Sequence, residues 1–557
     1  MTYSYIIISK KQFHNTITYA KAIYYHKLTD GREKINVEGK MIRSIDIYNN
    51  ILIRKTFYNT IIKLKRASRF AFINFLILST IWVFWFYYRG KKLKDSNLLR
   101  GHKLIDNKLL CMLLQQKKID SDYKIDNLPL VRDKETSHFL ITGTTGSGKT
   151  NFFNTILPQI RRKKQKAIII DTTGEYVSKY YDKNRDIIIN PFDSRSAKWS
   201  IWAECKSREQ FDMLATSLIP DNKHSDPFWV KNSRSLLAFA AHKTMNVGKI
   251  KYLLDILLVK PLKEIQSFFL DSTLSSLMSL ENEKTTLSLR ATLASYLKCL
   301  EYTNDYEDSF SIKEWIKDDN DGWLFLTSMP DQRETLKPLL SSLFDIAVSS
   351  LMTLSPNKNR RCWFIVDELA SLQMLPSLPT ALAEIRKYGG CIMSGTQSIH
   401  QIKEIYGHNI ALTMFELFNT RIFFRTLDPD NAHFIAKSFG DREYTEMSEN
   451  ISYGANDLRD GIALSENKKI ELLILPMELM KLTDLEAFIY FPGGFITKIK
   501  MKYKNIEYKS KSFIAKTFND AIDQKNLGYD INMKTHIEEN DTDRKYINKD
   551  IIHEQDL

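Results

Sequence analysis

Cysteine is scarce in this chain of 557 residues, and what there is lies scattered. Cys111, Cys205, Cys299, Cys362 and Cys391 form no C-x-x-C pair, so a disulfide framework or a cysteine zinc site has no support. The eleven histidines include no H-E-x-x-H, and no serine or cysteine nucleophile motif occurs. No internal repeat is evident. Glycine and proline are missing altogether from Leu262 to Asp321, where apolar residues recur at helical spacing, as in LSLRATLASYLKCL. That absence predicts an all-α insertion over about 200–320. Acidic residues are outnumbered: the formal charge is +14 and the pI near 9.1, which suits a polyanionic partner or a membrane surface. Long apolar runs are also missing, with one exception, Phe70 to Tyr88 (FAFINFLILSTIWVFWFYY), which has no charged residue and matches the roughly 20 residues needed to cross a bilayer. Basic residues bracket it on both sides, so the positive-inside rule does not orient it. The bulk of the chain reads as cytosolic.

Glycine is concentrated where it is chemically useful. The stretch HFLITGTTGSGKT, from His138 to Thr150, is an apolar strand that breaks into G-x-x-x-x-G-K-T. Such a loop lets successive backbone N–H groups wrap around phosphates, and the helix that follows adds a dipole favourable to anions. Gly143, Thr144, Thr145, Gly146, Ser147, Gly148, Lys149 and Thr150 are therefore the candidate residues for ATP. A second apolar strand, CWFIVDE, ends in Asp367 and Glu368. Thr150 and Asp367 are the candidate Mg2+ ligands, Lys149 the group on the β and γ phosphates, and Glu368 the residue that polarises the attacking water. No guanine-reading N-K-x-D is present. Further strands are expected at 167–170, 187–189, 323–328, 391–397 and 421–426. AFIYFPGGFITKIKMKY reads as two strands around a Pro-Gly-Gly turn. Strands alternating with helices and carrying functional residues at their C-terminal ends predict an α/β, doubly wound fold.

The expected division is a polar, weakly β-patterned segment 1–69, a transmembrane helix 70–88 and a juxtamembrane linker 89–133. An ATPase domain follows over 134–199 and 321–508, interrupted by the helical insertion 200–320, with a loose polar tail 509–557. The basic run RRKKQK, Arg161 to Lys166, reads as a solvated helix end rather than a DNA contact.

The order of the phosphate loop, DTTGEY, INPFDSRSAKWSIWAEC, IPDNKHSDPFW, VDELASLQMLP, EIRKYGG, SGTQSIHQIKEIYG and YGANDLRDG resembles the TraD/TraG-type coupling proteins of conjugative type IV secretion, over about Arg100 to Lys502. The resemblance implies a RecA-like P-loop ATPase domain with an inserted all-α domain, working as a homohexamer anchored in the bacterial inner membrane with the ATPase domain cytoplasmic. It implies delivery of relaxase-bound DNA, held by backbone contacts, to the subunits of a type IV secretion channel. It places a finger arginine, acting on the neighbouring subunit's phosphates, at Arg386, with Arg421 and Arg425 in reserve, and a γ-phosphate-sensing glutamine at Gln397. Asp171 and Glu175 are left structural. Relatives usually carry two membrane helices and some carry a long acidic or glutamine-rich C-terminal extension. An N-terminally shortened copy that inserts poorly is therefore expected here. Other readings are an FtsK/HerA-like DNA translocase, a coupling subunit that recruits protein effectors, and a remnant that binds nucleotide without turnover.

Overall fold

The computed structural model describes residues 8–94, 97–221, 226–270, 272–307, 309–452 and 461–516. They fall into two units, Met1–Gly101 with Arg442–Glu471, and His102–Asp441 with Leu472–Leu557.

The first unit is more helical than its weak β pattern predicts. Helix Lys10–Thr29 begins in a capping box in which Ser9 and Gln12 satisfy each other's backbone N–H groups. A hairpin, Lys34–Val37 with Lys40–Arg43, and a short helix, Ser44–Tyr48, complete a small core of Ala22, Ile35 and Ile47. The apolar run does not start a new element at residue 70. It is part of one 44-residue helix, Ile51–Lys94, about 66 Å long at 1.5 Å per residue. Within it Ile51–Arg89 is long and apolar enough to cross a membrane. The same unit holds a three-stranded sheet of Asn97–Gly101, Asp441–Ser452 and Gly461–Leu472, absent from the expected elements. All of the motif YGANDLRDG but its last glycine, residues 453–460, lies outside the described residues, as do 222–225 of IPDNKHSDPFW.

The second unit is built on nine strands, β1 (Phe139–Thr142), β2 (Lys166–Asp171), β3 (Ile187–Ile189), β4 (Trp323–Thr327), β5 (Cys362–Val366), β6 (Gly390–Thr396), β7 (Thr420–Phe423), β8 (Glu486–Phe491) and β9 (Phe495–Lys500). Their order in the sheet is β9-β8-β7-β1-β6-β5-β2-β4-β3. The seven from β7 to β3 are parallel and the β8–β9 hairpin is antiparallel. Successive side chains point to opposite faces, so each strand feeds two cores. Ile168 and Ile170 join one core with helices inserted between β3 and β4, among them Arg208–Leu218, Pro227–Lys243 and Glu283–Leu297. Ala167 and Ile169 join the other, with Phe152, Ile156 and Ile160 of α1 (Lys149–Arg162).

Two expected boundaries need correction. The stretch 107–131 is no linker: helix Asn107–Gln116 and the hairpin Asp120–Ile125/Leu128–Val131 bury Leu110, Leu114, Tyr123, Ile125, Leu128 and Leu130 in the second core. Nor is the tail loose from its start. Lys509 N donates to Ser178 O (2.7 Å) and Ser194 N to Ile514 O (2.8 Å), so the chain stays seated on the unit to residue 516.

Candidate nucleotide site

The parallel strands all end on one edge, where β1, β6, β5 and β2 deliver the phosphate loop, Gln397, Asp367 with Glu368, and the Asp171 turn respectively. The loop is held both from outside and from within. Thr144 N donates to Arg425 O (2.9 Å), Ser147 Oγ to Thr144 O (2.7 Å), and Leu485 N to Ser147 O (2.9 Å). Gly148 has φ +126°, and a Cβ there would stand 2.8 Å from Phe424 Cε1, so both backbone shape and space demand glycine. Thr145 and Gly146 form the exposed crest.

Lys149 Nζ donates to Gly143 O (2.6 Å) inside the loop. Burial lowers its pKa, opposed by the charges of Glu368 and Asp367. Thr150 Oγ1 donates to Asp367 Oδ2 (3.3 Å). Asp367 is raised above the ordinary carboxylate range by burial, with Tyr176, Lys149 and Thr150 pulling it back. Its Oδ1 is buried without a hydrogen-bond partner, and so is Tyr176 Oη, which therefore neighbours the carboxylate without completing a bond. Glu368 is likewise raised by burial and pulled back by Lys149 and Gln397, and its Oε1 has no partner. Buried oxygens left unsatisfied are costly unless something completes them. A hydroxyl and an orphaned carboxylate oxygen facing a loop of phosphate-binding amides fit Mg2+ carried by a nucleotide, since Mg2+ takes few protein oxygens and keeps water and phosphate for the rest.

These groups share one cavity of about 580 Å³, lined by Thr144, Lys149, Thr150, Asp367, Glu368 and Gln397 among others. β6 must lie close to β5 to bring Gln397 there: a Cβ on Gly395 would be 2.0 Å from Asp367 O, so this position accepts only hydrogen. Asp171 accepts amides from Gly174 (2.8 Å) and Val177 (2.9 Å) and is occupied in shaping its own turn.

The arginines do not converge on the cavity in the same way. Arg386 is exposed in the turn Ile385–Tyr388 before β6, whereas Gln397 follows it. The seven residues of β6 separate the two edges by about 23 Å at 3.3 Å per residue. Arg421 is clasped between Phe415 and Tyr490, 4.7 and 4.5 Å from their ring centres, and Arg425 pairs with Asp484 (2.8 Å). In RRKKQK, Arg161 pairs with Asp186 (2.7 Å) and lies 3.6 Å over Trp323, while Lys166 donates to the carbonyls of Trp315 and Asp318. The two ends of that run are tied into the fold, while Arg162, Lys163 and Lys164 between them are exposed at the end of α1, as expected of a solvated helix end.

Several cavity residues carry no sequence signal. Tyr176, Arg333, Asp484, Leu485 and Tyr503 reach it from four separate segments. Tyr176 falls in DTTGEY and Tyr503 closes AFIYFPGGFITKIKMKY, but neither stretch marks its tyrosine as a cavity residue, and no motif contains Arg333, Asp484 or Leu485.

Residues 122–502 match the family model of the type IV secretion-system coupling protein DNA-binding domain. The chain belongs to that family. The coupling protein TraD of Escherichia coli (strain K12) is 34% identical over 448 residues, covering 78% of this chain and 62% of the relative. The chain thus spans about three fifths of that relative's length. Protein VirD4 of Agrobacterium fabrum (strain C58 / ATCC 33970) is 26% identical over 202 residues, 36% of this chain and 29% of VirD4. Among solved structures, the bacterial conjugative coupling protein TrwB superposes with a TM-score of 0.67 at 28% identity, over 76% of this chain and 97% of that one. TrwB has also been solved with ADP and Mg2+, with the ATP analogue ADPNP and with the GTP analogue GDPNP. The α/β sheet with its helical domain is the coupling-protein fold, and the apolar helix Ile51–Lys94 precedes it.

Proposed function

We propose that this protein is a membrane-anchored ATPase that couples a relaxase–DNA substrate to a type IV secretion channel and powers conjugative DNA transfer. One observation carries the reading: Lys149, Thr150, Asp367, Glu368 and Gln397 arrive from three strands at a single cavity in a coupling-protein fold. The names of TraD and VirD4 and the nucleotide complexes of TrwB support it.

In this proposal the amides from Thr145 to Thr150 bind the α and β phosphates, and Lys149 leaves its hold on Gly143 O to neutralise the β and γ oxygens. Thr150 and Asp367 would hold Mg2+, which when bound would supply charge neutralisation at the phosphates. Glu368 accepts a proton from the attacking water, and Gln397, beside it, registers the γ phosphate. Arg386 acts on the pocket of a neighbouring subunit, since about 23 Å keeps it from its own. Activity then requires a ring, taken to be a hexamer. The helix Ile51–Lys94 anchors the ring in the inner membrane, with the motor on the side where ATP is. The proposed division of the motor is an ATPase domain over 134–199 and 321–508 and the helical domain over 200–320, with the corrected stretch 107–131 added to the former. DNA is held through its phosphates, without base readout.

Plasmid transfer from donor cells whose own coupling protein has been replaced by this chain tests the reading. Transfer should require the unaltered chain and vanish with Lys149→Ala at equal expression. Equal transfer with both would overturn it.

A further inference from the structure

The cavity contains one cation that neither the phosphate loop nor the Asp367–Glu368 pair accounts for. Arg333 is the first residue of α2 (Arg333–Met352), the 20-residue helix after β4, and it lines the cavity. Its Nη2 donates to Thr172 O (3.2 Å) and Thr172 Oγ1 (3.4 Å), two neutral acceptors. Its Nε is buried and has no hydrogen-bond partner. Most partly buried arginines of this unit are paired with acids, as Arg161 is with Asp186 and Arg195 with Asp193. A guanidinium held only by neutral groups, with one N–H unsatisfied, in a cavity fitted for a polyanion, is a phosphate donor awaiting its acceptor.

Its position says which phosphate. Thr172 follows β2, and β2 lies beside β5, whose end carries Asp367. Arg333 therefore approaches from the metal side, where the terminal phosphate of a nucleoside triphosphate lies. The far end of α2 is tied to the helical insertion. Asp345, buried three turns along, accepts the Ser217 hydroxyl of helix Arg208–Leu218 and Ser377 N (3.1 Å). α2 also packs against helices Arg208–Leu218 and Ile312–Lys317. A pull on its first residue passes along the helix, through Pro338, to these contacts.

We infer that Arg333 grips the terminal phosphate of a nucleoside triphosphate bound in its own subunit and that α2 carries this contact into the helical insertion. The inference rests on the nucleotide-binding reading above. It gives the ring a second arginine with a different task, distinguishing triphosphate from diphosphate in cis, while Arg386 acts in trans.

The test uses the full chain in detergent with fluorescent ADP and a fluorescent non-hydrolysable ATP analogue. A charged hydrogen bond of this kind corresponds to about tenfold to a hundredfold in affinity. Arg333→Ala should weaken the ATP analogue by that factor, leave ADP within about threefold, and be partly rescued by Arg333→Lys. In hydrogen exchange, the analogue but not ADP should increase protection of α2 and of helix Arg208–Leu218 in the unaltered chain, and Arg333→Ala should abolish the difference. Equal loss for ADP and the analogue would show a structural role, and unchanged analogue binding would show no contact; either overturns the inference. If the unaltered chain binds neither nucleotide, the functional reading falls and this inference with it. If it binds both but without the exchange difference, only the inference falls.

Discussion

Replacing Glu368 by glutamine separates catalysis from binding at this site. The side chain sits beside Lys149 and Gln397, its Oε1 has no partner, and burial already disfavours its charge. Glutamine keeps the shape and removes the proton acceptor. It also removes a negative charge that a polyphosphate would face, so nucleotide affinity should hold or improve slightly. Losing a positioned general base lowers turnover by about 10² to 10⁴, equivalent to roughly 3–5 kcal/mol of barrier. Lys149→Ala acts at the other end of the same chemistry. It deletes the ammonium that folds onto Gly143 O, the one cation within the phosphate loop itself, and a charged hydrogen bond of about 1.5–3 kcal/mol predicts a tenfold to hundredfold loss of binding. Both variants of the full chain are compared by titration with a fluorescent nucleotide and by phosphate release. Glu368→Gln should bind as the unaltered chain does and turn over slowly, while Lys149→Ala should bind tenfold to hundredfold more weakly. Equal loss of binding in both, or near-normal turnover in Glu368→Gln, would refute the assignment of Glu368 as the water-activating residue.

Three other outcomes follow from particular contacts. Arg386→Ala should bind ATP normally and hydrolyse it slowly, and mixing it with Lys149→Ala protein should restore some turnover, because a ring can pair an intact pocket with an intact arginine; no rescue in demonstrably mixed rings would remove the role from Arg386. Gly395→Ala places a methyl 2.0 Å from Asp367 O and should cost about 1–3 kcal/mol of stability together with turnover, which thermal denaturation and phosphate release would show, and a variant normal in both would contradict the close packing of β6 on β5. His138 is buried and neutral, donating from Nε2 to Leu382 O (3.0 Å) and accepting Ile392 N at Nδ1 (3.2 Å), and burial holds its pKa down at about 4 against an ordinary 6.5. Its contribution is complete above pH 6.5. It is lost as pH falls towards 4, because the unfolded chain takes up a proton that the folded one refuses, a loss of about 3 kcal/mol that His138→Gln should flatten in urea titrations.

What was legible in advance was whatever rests on local pattern. The phosphate loop, the strand ending in Asp367 and Glu368, and the glycine-free helical insertion all announce themselves through spacing and composition. The β8–β9 hairpin was legible too, because Pro-Gly-Gly interrupts an alternating pattern. The N-terminal helices were not: Thr, Ile and Tyr in Lys10–Thr29 and Ile51–Lys94 mimic strand preference, and capping and tertiary contact decide the outcome. The stretch 107–131 reads as linker, although about half of its residues are apolar, because they are divided between one short helix and one hairpin. Their burial becomes visible only once β1 and α1 lie above them. Arg333 and Asp484 carry no motif; they reach the cavity through the topology of the sheet, which no short window of sequence encodes.

The central claim, that this cavity turns over ATP in the service of DNA movement, is tested most directly by ATP hydrolysis of the full chain with and without DNA at several salt concentrations. The account predicts stimulation by DNA of any sequence, absent in Glu368→Gln and falling steeply as salt displaces the Lys and Arg contacts to phosphate. Hydrolysis indifferent to DNA, or stimulation confined to one short duplex sequence and unaffected by salt, would contradict it.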